Sequence, residues 1–223
     1  MKPFKLLAFA LLLAPCLLFS CNSVYTPKRR GYFRIDFPPH TYQTFNEPGY
    51  PYTFEYPTYA TVIRDTSFFE ARPENPWWIN IDIPRFAARI YISYKEIGPQ
   101  TGSKTPGNSF DKLREDAYKL TFKHAYKASS IDDSVMRTPN GVSGVFFKVG
   151  GNAATARQFY VTDSTKHFLR GALYFDTTPN EDSLAIVNNF LQQDMAHLIN
   201  TFRWNPLPSK GGILDTSKRG KGQ

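Results

Sequence analysis

The feature that most constrains the fold is a series of short segments in which apolar and polar residues alternate until a proline ends them. Tyr52–Tyr56 alternates before Pro57, and Trp77–Ile83 alternates before Pro84. A period of two predicts strands with one buried face, and proline at their ends is typical of short antiparallel strands. With 17 prolines in 223 residues, the chain is not a coiled coil or another long-helix protein. Strands are predicted at 32–37, 52–56, 60–64, 77–83, 88–94, 142–149, 157–162 and 167–175.

Two segments have the helical period instead. From Ser109 to Lys127, apolar residues recur at a spacing of 3.6 with Ser109 as the N-cap, and 98–107 before it is predicted as a loop. A second stripe begins after Asn180, runs to Phe202 and is closed by Trp204. The order of strands, helix, strands and long terminal helix predicts one α+β domain over 31–204. We expect a mainly antiparallel sheet flanked by helices.

The N-terminus has the pattern of an export signal. Lys2 and Lys5 precede an apolar run, Leu6–Phe19, which is too short to span a bilayer as a helix. The run ends in Leu18-Phe19-Ser20-Cys21, which resembles the lipobox of bacterial lipoproteins. This pattern predicts a signal peptide at 1–20, a lipid on Cys21 that anchors the chain to a membrane, and a basic tether at 21–30. The alternative is an ordinary secretory signal with a chance cysteine.

The net charge of +8 is not carried by the predicted domain. Residues 31–204 hold 18 basic and 18 acidic side chains, so the excess lies in the presequence, the tether and a flexible basic tail at 205–223. Nucleic-acid-binding proteins usually concentrate basic residues on the folded domain. We therefore expect no nucleic-acid partner. Asn22 is not the aspartate that marks retention in the inner membrane, and residues 22–30 lack the acidic cluster associated with surface export of lipoproteins. We therefore expect a periplasm-facing lipoprotein and leave inner or outer membrane open.

Motifs of catalysis are missing from the sequence. It has no G-x-S-x-G, P-loop, H-E-x-x-H or dinucleotide-binding pattern, and its four histidines lack metal-ligand spacing. We therefore expect no enzyme activity, no metal and no cofactor. Two polar segments are candidates for a ligand loop: backbone amides at 150–154 could bind an anion, and 163–167 clusters an acid, hydroxyls, an amine and an imidazole. The alternatives are a tight turn and a hairpin turn. The candidate residues are Gly150, Gly151, Asn152, Asp163, Lys166 and His167.

A partner surface is expected to expose aromatic residues and arginine. Four residues of the predicted strands meet this composition: Trp77, Trp78, Tyr160 and Arg170. The same residue types also occur in cores and on strand faces, so that alternative stays open.

Long blocks of the chain resemble the gliding motility lipoprotein GldD family of the Bacteroidota. The similarity extends from Tyr25 to Trp204 and is carried by Tyr32–Pro38, Tyr52–Pro57, Trp78–Ile81, Ala117–His124, Val149–Ala154 and Gln158–Phe175. The resemblance implies a role in gliding motility, with protein components of the gliding and type IX secretion machinery as partners. It supplies no catalytic residues.

A shorter similarity concerns Phe54-x-Tyr56-Pro57 and Thr201–Trp204, which resemble PsbP/Mog1-type domains. It implies an antiparallel sheet flanked by helices in a binding or assembly factor. The alternative function is a periplasmic lipoprotein that binds a small ligand or a glycan. Convergence of the two polar segments on one concave site would favour that alternative.

Overall fold

Alternating segments pair into antiparallel sheets in the computed structural model, which describes residues 34–66, 73–98, 107–123 and 125–206. Within these residues there are ten strands and two α-helices. The strands are β1 (Tyr42–Phe45), β2 (Tyr52–Pro57), β3 (Thr61–Arg64), β4 (Ile79–Ile83), β5 (Ala88–Glu96), β6 (Ala128–Arg137), β7 (Ser143–Gly151), β8 (Arg157–Thr162), β9 (His167–Phe175) and β10 (Arg203–Trp204). The helices are α1 (Phe110–Phe122) and α2 (Glu181–Thr201).

A seven-stranded sheet forms the centre, in the order β3-β4-β5-β9-β8-β7-β6, with every pairing antiparallel. A second sheet has the order β1-β2-β10. Because side chains alternate across a strand, the central sheet has two distinct faces. We call the face that bears Ile81, Ile90 and Leu173 the inner face, and the face that bears Phe147, Tyr160 and Phe168 the outer face.

The inner face is closed by α2 and the three-stranded sheet. Asn180 caps α2, since its side chain accepts a hydrogen bond from the Ser183 backbone N–H at 3.0 Å. The apolar stripe of α2 then packs into the main core beside Tyr52 and Phe54 of β2. Burial of these aromatic and aliphatic side chains makes the largest contribution to the stability of the domain.

The outer face is only partly covered. Helix α1, capped by Ser109, places Leu113 and Ala117 on Phe147, Tyr160 and Phe168 to form a second, smaller core. The part of the outer face on β4 and β5 bears polar and aromatic side chains that line open clefts.

The prediction of an α+β fold built mainly on antiparallel strands is confirmed. Strands were correctly placed at 157–162 and 167–175, and α2 lies within one residue of its predicted bounds. Other details differ. The strands divide into two sheets, residues 34–37 form no strand, and strands β1, β6 and β10 were not predicted. The first helix ends at Phe122, followed by a 3-10 turn at Ala125–Lys127; His124 and 99–106 lie outside the described residues.

Candidate functional site

The polar turn between β8 and β9 is organised by Asp163. Its Oδ1 accepts hydrogen bonds from the backbone N–H groups of Thr165, Lys166 and His167, at 2.9, 2.8 and 2.9 Å. Burial acts to raise the pKa of Asp163, but these backbone donors outweigh it and lower the pKa below its ordinary value. The carboxylate therefore serves the hairpin turn that was the alternative prediction for this segment.

His167 lies in the core rather than in a reactive site. Its Nδ1 is 2.7 Å from the Tyr94 hydroxyl, and its ring stacks on Trp204 at 4.8 Å between centroids. Burial lowers the pKa of His167, with Lys166 adding to the effect and Asp163 opposing it. A neutral imidazole is thus built into the junction of β5, β9 and β10.

The segment 150–152 lies at the end of β7 and contacts the start of α2. Gly151 has a φ of +84°, and a side chain at Gly150 would come within 2.8 Å of the Ser129 and Ser130 hydroxyls. Asn152 Oδ1 accepts a hydrogen bond from the Glu181 backbone N–H at 2.9 Å and so satisfies a free donor at the N-terminus of α2. A polar cleft of about 270 Å³ lies beside this segment.

The two polar segments do not meet. Lys148 pairs with Arg157 at one end of β8, whereas Ser143 pairs with Thr162 at the other. At about 3.3 Å per residue, the length of β8 separates the two ends by roughly 16 Å. The six candidate residues therefore lie in two separate places, the end of β7 and the turn between β8 and β9.

The expected partner surface is not assembled either. Trp78 and Tyr160 are buried: Trp78, just before β4, packs in the main core, and Tyr160 lies on the face of β8 that α1 covers. Trp77 is half-buried and donates its indole N–H to the Gly49 carbonyl at 2.8 Å. Trp78 and Tyr160 cannot present a partner surface in this fold. Arg170 lines a cleft between α1 and the sheet.

A cluster that was not predicted surrounds Asp194 of α2. This carboxylate, 2% exposed, is 2.6 Å from His40 Nδ1 and accepts hydrogen bonds from the hydroxyls of Tyr42, at 3.1 Å, and Tyr59. Burial, together with the nearby carboxylate, raises the pKa of Tyr42 to about 12. These hydrogen bonds connect the segment around β1 to α2.

One signal in the sequence indicates this cluster. Asp194 lies three residues after Leu191 and one before Met195, which places an acid on the apolar stripe of α2. A buried carboxylate requires partners. Its partners lie about 150 residues away in the sequence, so the pattern could not identify them.

A second histidine–carboxylate pair lies next to this cluster but near the surface. His197 Nε2 is 2.6 Å from Glu55 Oε2, and the His197 ring stacks on Tyr42 at 3.5 Å. The described residues contain no group of three or more histidine, cysteine or acidic side chains arranged to hold a metal ion.

This fold defines an α+β domain of two antiparallel sheets and two helices. A family model described as gliding motility lipoprotein GldD matches residues 22–204. The chain therefore belongs to the gliding motility lipoprotein GldD family, as its sequence blocks predicted. Cys21 lies outside the described residues.

A comparison with solved structures returned the solution structure of cyanobacterial PsbP (CyanoP) from Synechocystis sp. PCC 6803. The sequences are 13% identical, the TM-score is 0.41, and the match covers 79% of this chain and 98% of that one. At this score the PsbP/Mog1 relation stays a prediction. A comparison with curated proteins found no match. Across the described part of the chain, neither helix is long and apolar enough to cross a membrane.

Proposed function

We propose that this protein is a lipid-anchored, non-enzymatic component that assembles or stabilises the gliding and type IX secretion machinery. The observation that carries the proposal is the family match over residues 22–204, which begins directly after the lipobox cysteine. In this proposal Cys21 carries the lipid, residues 21–30 form the tether, and the domain faces the periplasm. The basic tail at 205–223 has no role assigned to it.

The engagement of the candidate side chains supports a binding role over a catalytic one. Asp163, His167 and Asn152 are held in a turn, a core contact and a helix cap. A general acid or base must lie in a cleft and be able to form a hydrogen bond with the substrate. The alternative, a periplasmic lipoprotein for a small ligand or glycan, loses its main support because its two segments lie at opposite ends of β8.

The test is a gene deletion complemented by wild type, Cys21→Ala or Cys16→Ala. We expect the deletion to abolish both colony spreading and secretion of a type IX reporter. Cys21→Ala should accumulate in the cell, lose its partition into detergent and fail to restore either phenotype. Cys16→Ala is the matched control, because Cys16 lies inside the predicted signal peptide and should be dispensable.

Each arm can contradict a different part of the proposal. Normal spreading and secretion in the deletion strain would remove the assigned role. Full rescue by Cys21→Ala would remove the requirement for the anchor. Loss of spreading with normal secretion would confine the role to motility.

A further inference from the structure

A groove of about 340 Å³ runs between α1 and strands β5 and β9 on the outer face. Leu113, Leu120 and Phe168 supply its apolar wall. We call it the α1 groove. It exists because α1 covers only part of the outer face and leaves the surface beside β5 open.

The α1 groove contains a positive charge, that of Arg170. Arg170 on β9 lies opposite Ser93 of β5, and its guanidinium donates a hydrogen bond to Gln158 Oε1. Among the described residues no carboxylate pairs with Arg170, and burial lowers its pKa. A half-buried cation whose hydrogen bond goes to a neutral amide has no opposite charge beside it, so binding of an anion would stabilise it. Gln158 is itself fully buried, and its Nε2 has no partner.

The rim of the α1 groove is positively charged as well. Lys95, Lys119 and Lys123 line the groove, against Asp116 as its one acidic lining residue. Lys95 and Lys119 already pair with Glu74 and Glu115, at 2.7 and 2.6 Å, in exposed ion pairs that contribute little and exchange readily. Lys119 in α1 and Lys123, the C-cap of the helix, are four residues apart, so their side chains are neighbours about 6 Å apart at the C-terminal end of α1.

We propose that the α1 groove binds an acidic amphipathic segment of a partner protein. One carboxylate of the segment pairs with Arg170, an adjacent apolar side chain packs on Leu113 and Phe168, and further acids meet Lys119 and Lys123. A row of cations along an open groove suits a polypeptide with several acids better than a single small carboxylate. This inference rests on the proposed assembly function and names the chemistry of the partner.

Carbodiimide cross-linking of intact cells that express the full-length lipoprotein tests the proposal, because this reagent joins amines directly to contacting carboxylates. We expect mass spectrometry to find Lys119 or Lys123 linked to an aspartate or glutamate of another protein. Arg170→Met should lower the yield about tenfold or more, as loss of a central arginine does at an interface. Lys123→Glu should lower the yield at Lys119. Lys112→Glu, on α1 but outside the groove, should leave it unchanged.

A thermal melt of each purified variant separates binding from folding. A cation that binds a partner is not needed by the free domain, so Arg170→Met should leave the Tm unchanged or raise it. A large fall in the Tm with loss of cross-links would make Arg170 structural and overturn the proposal. So would cross-links that survive both Arg170→Met and Lys123→Glu, no cross-link in wild type, or a fatty acid that co-purifies only when Arg170 is present.

Failure of the groove and failure of the proposed function give different results. Arg170-dependent cross-links in a strain whose deletion mutant still glides would remove the function and keep the groove. Loss of gliding on deletion, without any cross-link at Lys119 or Lys123, would do the reverse.

Discussion

The two faces of the central sheet differ in how completely they are covered. The inner face meets a 21-residue helix and a second sheet, and its largest side chains are fully buried. The outer face meets a 13-residue helix with a small core, and the rest of it is lined by charged and aromatic side chains. A closed apolar face stabilises the fold, whereas a half-covered charged face leaves a surface for a partner. The comparison assigns stability to the inner side of the sheet, and the outer side is the one on which we propose recognition.

The largest expected effect comes from the closed side. Phe202 is fully buried and contacts the rings of Tyr52, Phe54 and Trp204. We expect Phe202→Ala to lower the free energy of unfolding by about 3–5 kcal/mol in urea titrations followed by circular dichroism. Phe122→Ala is the control, because that ring is 51% exposed, and it should change the value by less than about 0.5 kcal/mol. Equal effects would contradict the assignment of stability to the inner face.

The next effect compares two carboxylates at the same distance from a histidine but at different depths. Asp194 and Glu55 each lie 2.6 Å from a histidine nitrogen, yet Asp194 is 2% exposed and Glu55 is 40% exposed. In the same urea titrations Asp194→Ala should cost about 3 kcal/mol, because it leaves the half-buried hydroxyls of Tyr42 and Tyr59 without their acceptor. Glu55→Gln should cost at most about 1 kcal/mol.

A spectroscopic readout sharpens the same comparison. The pKa of Tyr42 is raised to about 12, first by burial and then by Asp194. In Asp194→Asn, tyrosinate absorbance should show Tyr42 ionising at a lower pH than in wild type, though still above its ordinary value of about 10 because burial remains. An unchanged titration would show that Asp194 does not act on Tyr42.

Disruption of the small core on the outer face should destabilise α1 and leave the main core folded. Leu113 is buried between α1 and the sheet, so Leu113→Ala should cost about 2–3 kcal/mol. Amide hydrogen exchange should speed up in α1 while the core residues of α2 stay protected. Leu120→Ala on the same helix, 39% exposed, should cost less than about 1 kcal/mol. Exchange that rises equally in both helices would make the two cores one cooperative unit.

The sequence predicted those elements whose pattern reflects burial on one side. Residues 157–162 and 167–175 are flanked by other strands and covered on at least one face, so their apolar residues mark the strand. Strand β6 is an edge strand with most side chains exposed, and its run Ser-Ser-Ile-Asp-Asp-Ser carries no such mark. The division into two sheets depends on the pairing of β10 with β2, which local alternation does not encode.

The candidate site was harder to predict because its partners are distant in sequence. Residue types selected Arg170 as a candidate for a partner surface, but the groove that it lines forms only when α1 packs over β9. Trp78 and Tyr160 were selected by the same residue-type criterion as Arg170, yet both are buried. Side-chain chemistry therefore selects candidates, and only the packing of the two faces separates core residues from surface residues.

The smallest expected effect concerns the pH dependence of the inner face. The pKa of His167 is lowered in the folded state, mainly by burial, so the unfolded chain takes up a proton at this residue first as the pH falls. Its contribution to stability is therefore complete above about pH 6.5 and declines as the pH falls from there toward the folded-state pKa. We expect the free energy of unfolding to decrease between about pH 7.5 and 5 in wild type, and to decrease less in His167→Gln, which can still bond the Tyr94 hydroxyl. The difference between the two profiles isolates His167 from the three other histidines. Identical profiles would mean that His167 can be protonated in the folded state without loss of stability. The inner face would then tolerate a charged group as well as the outer face does.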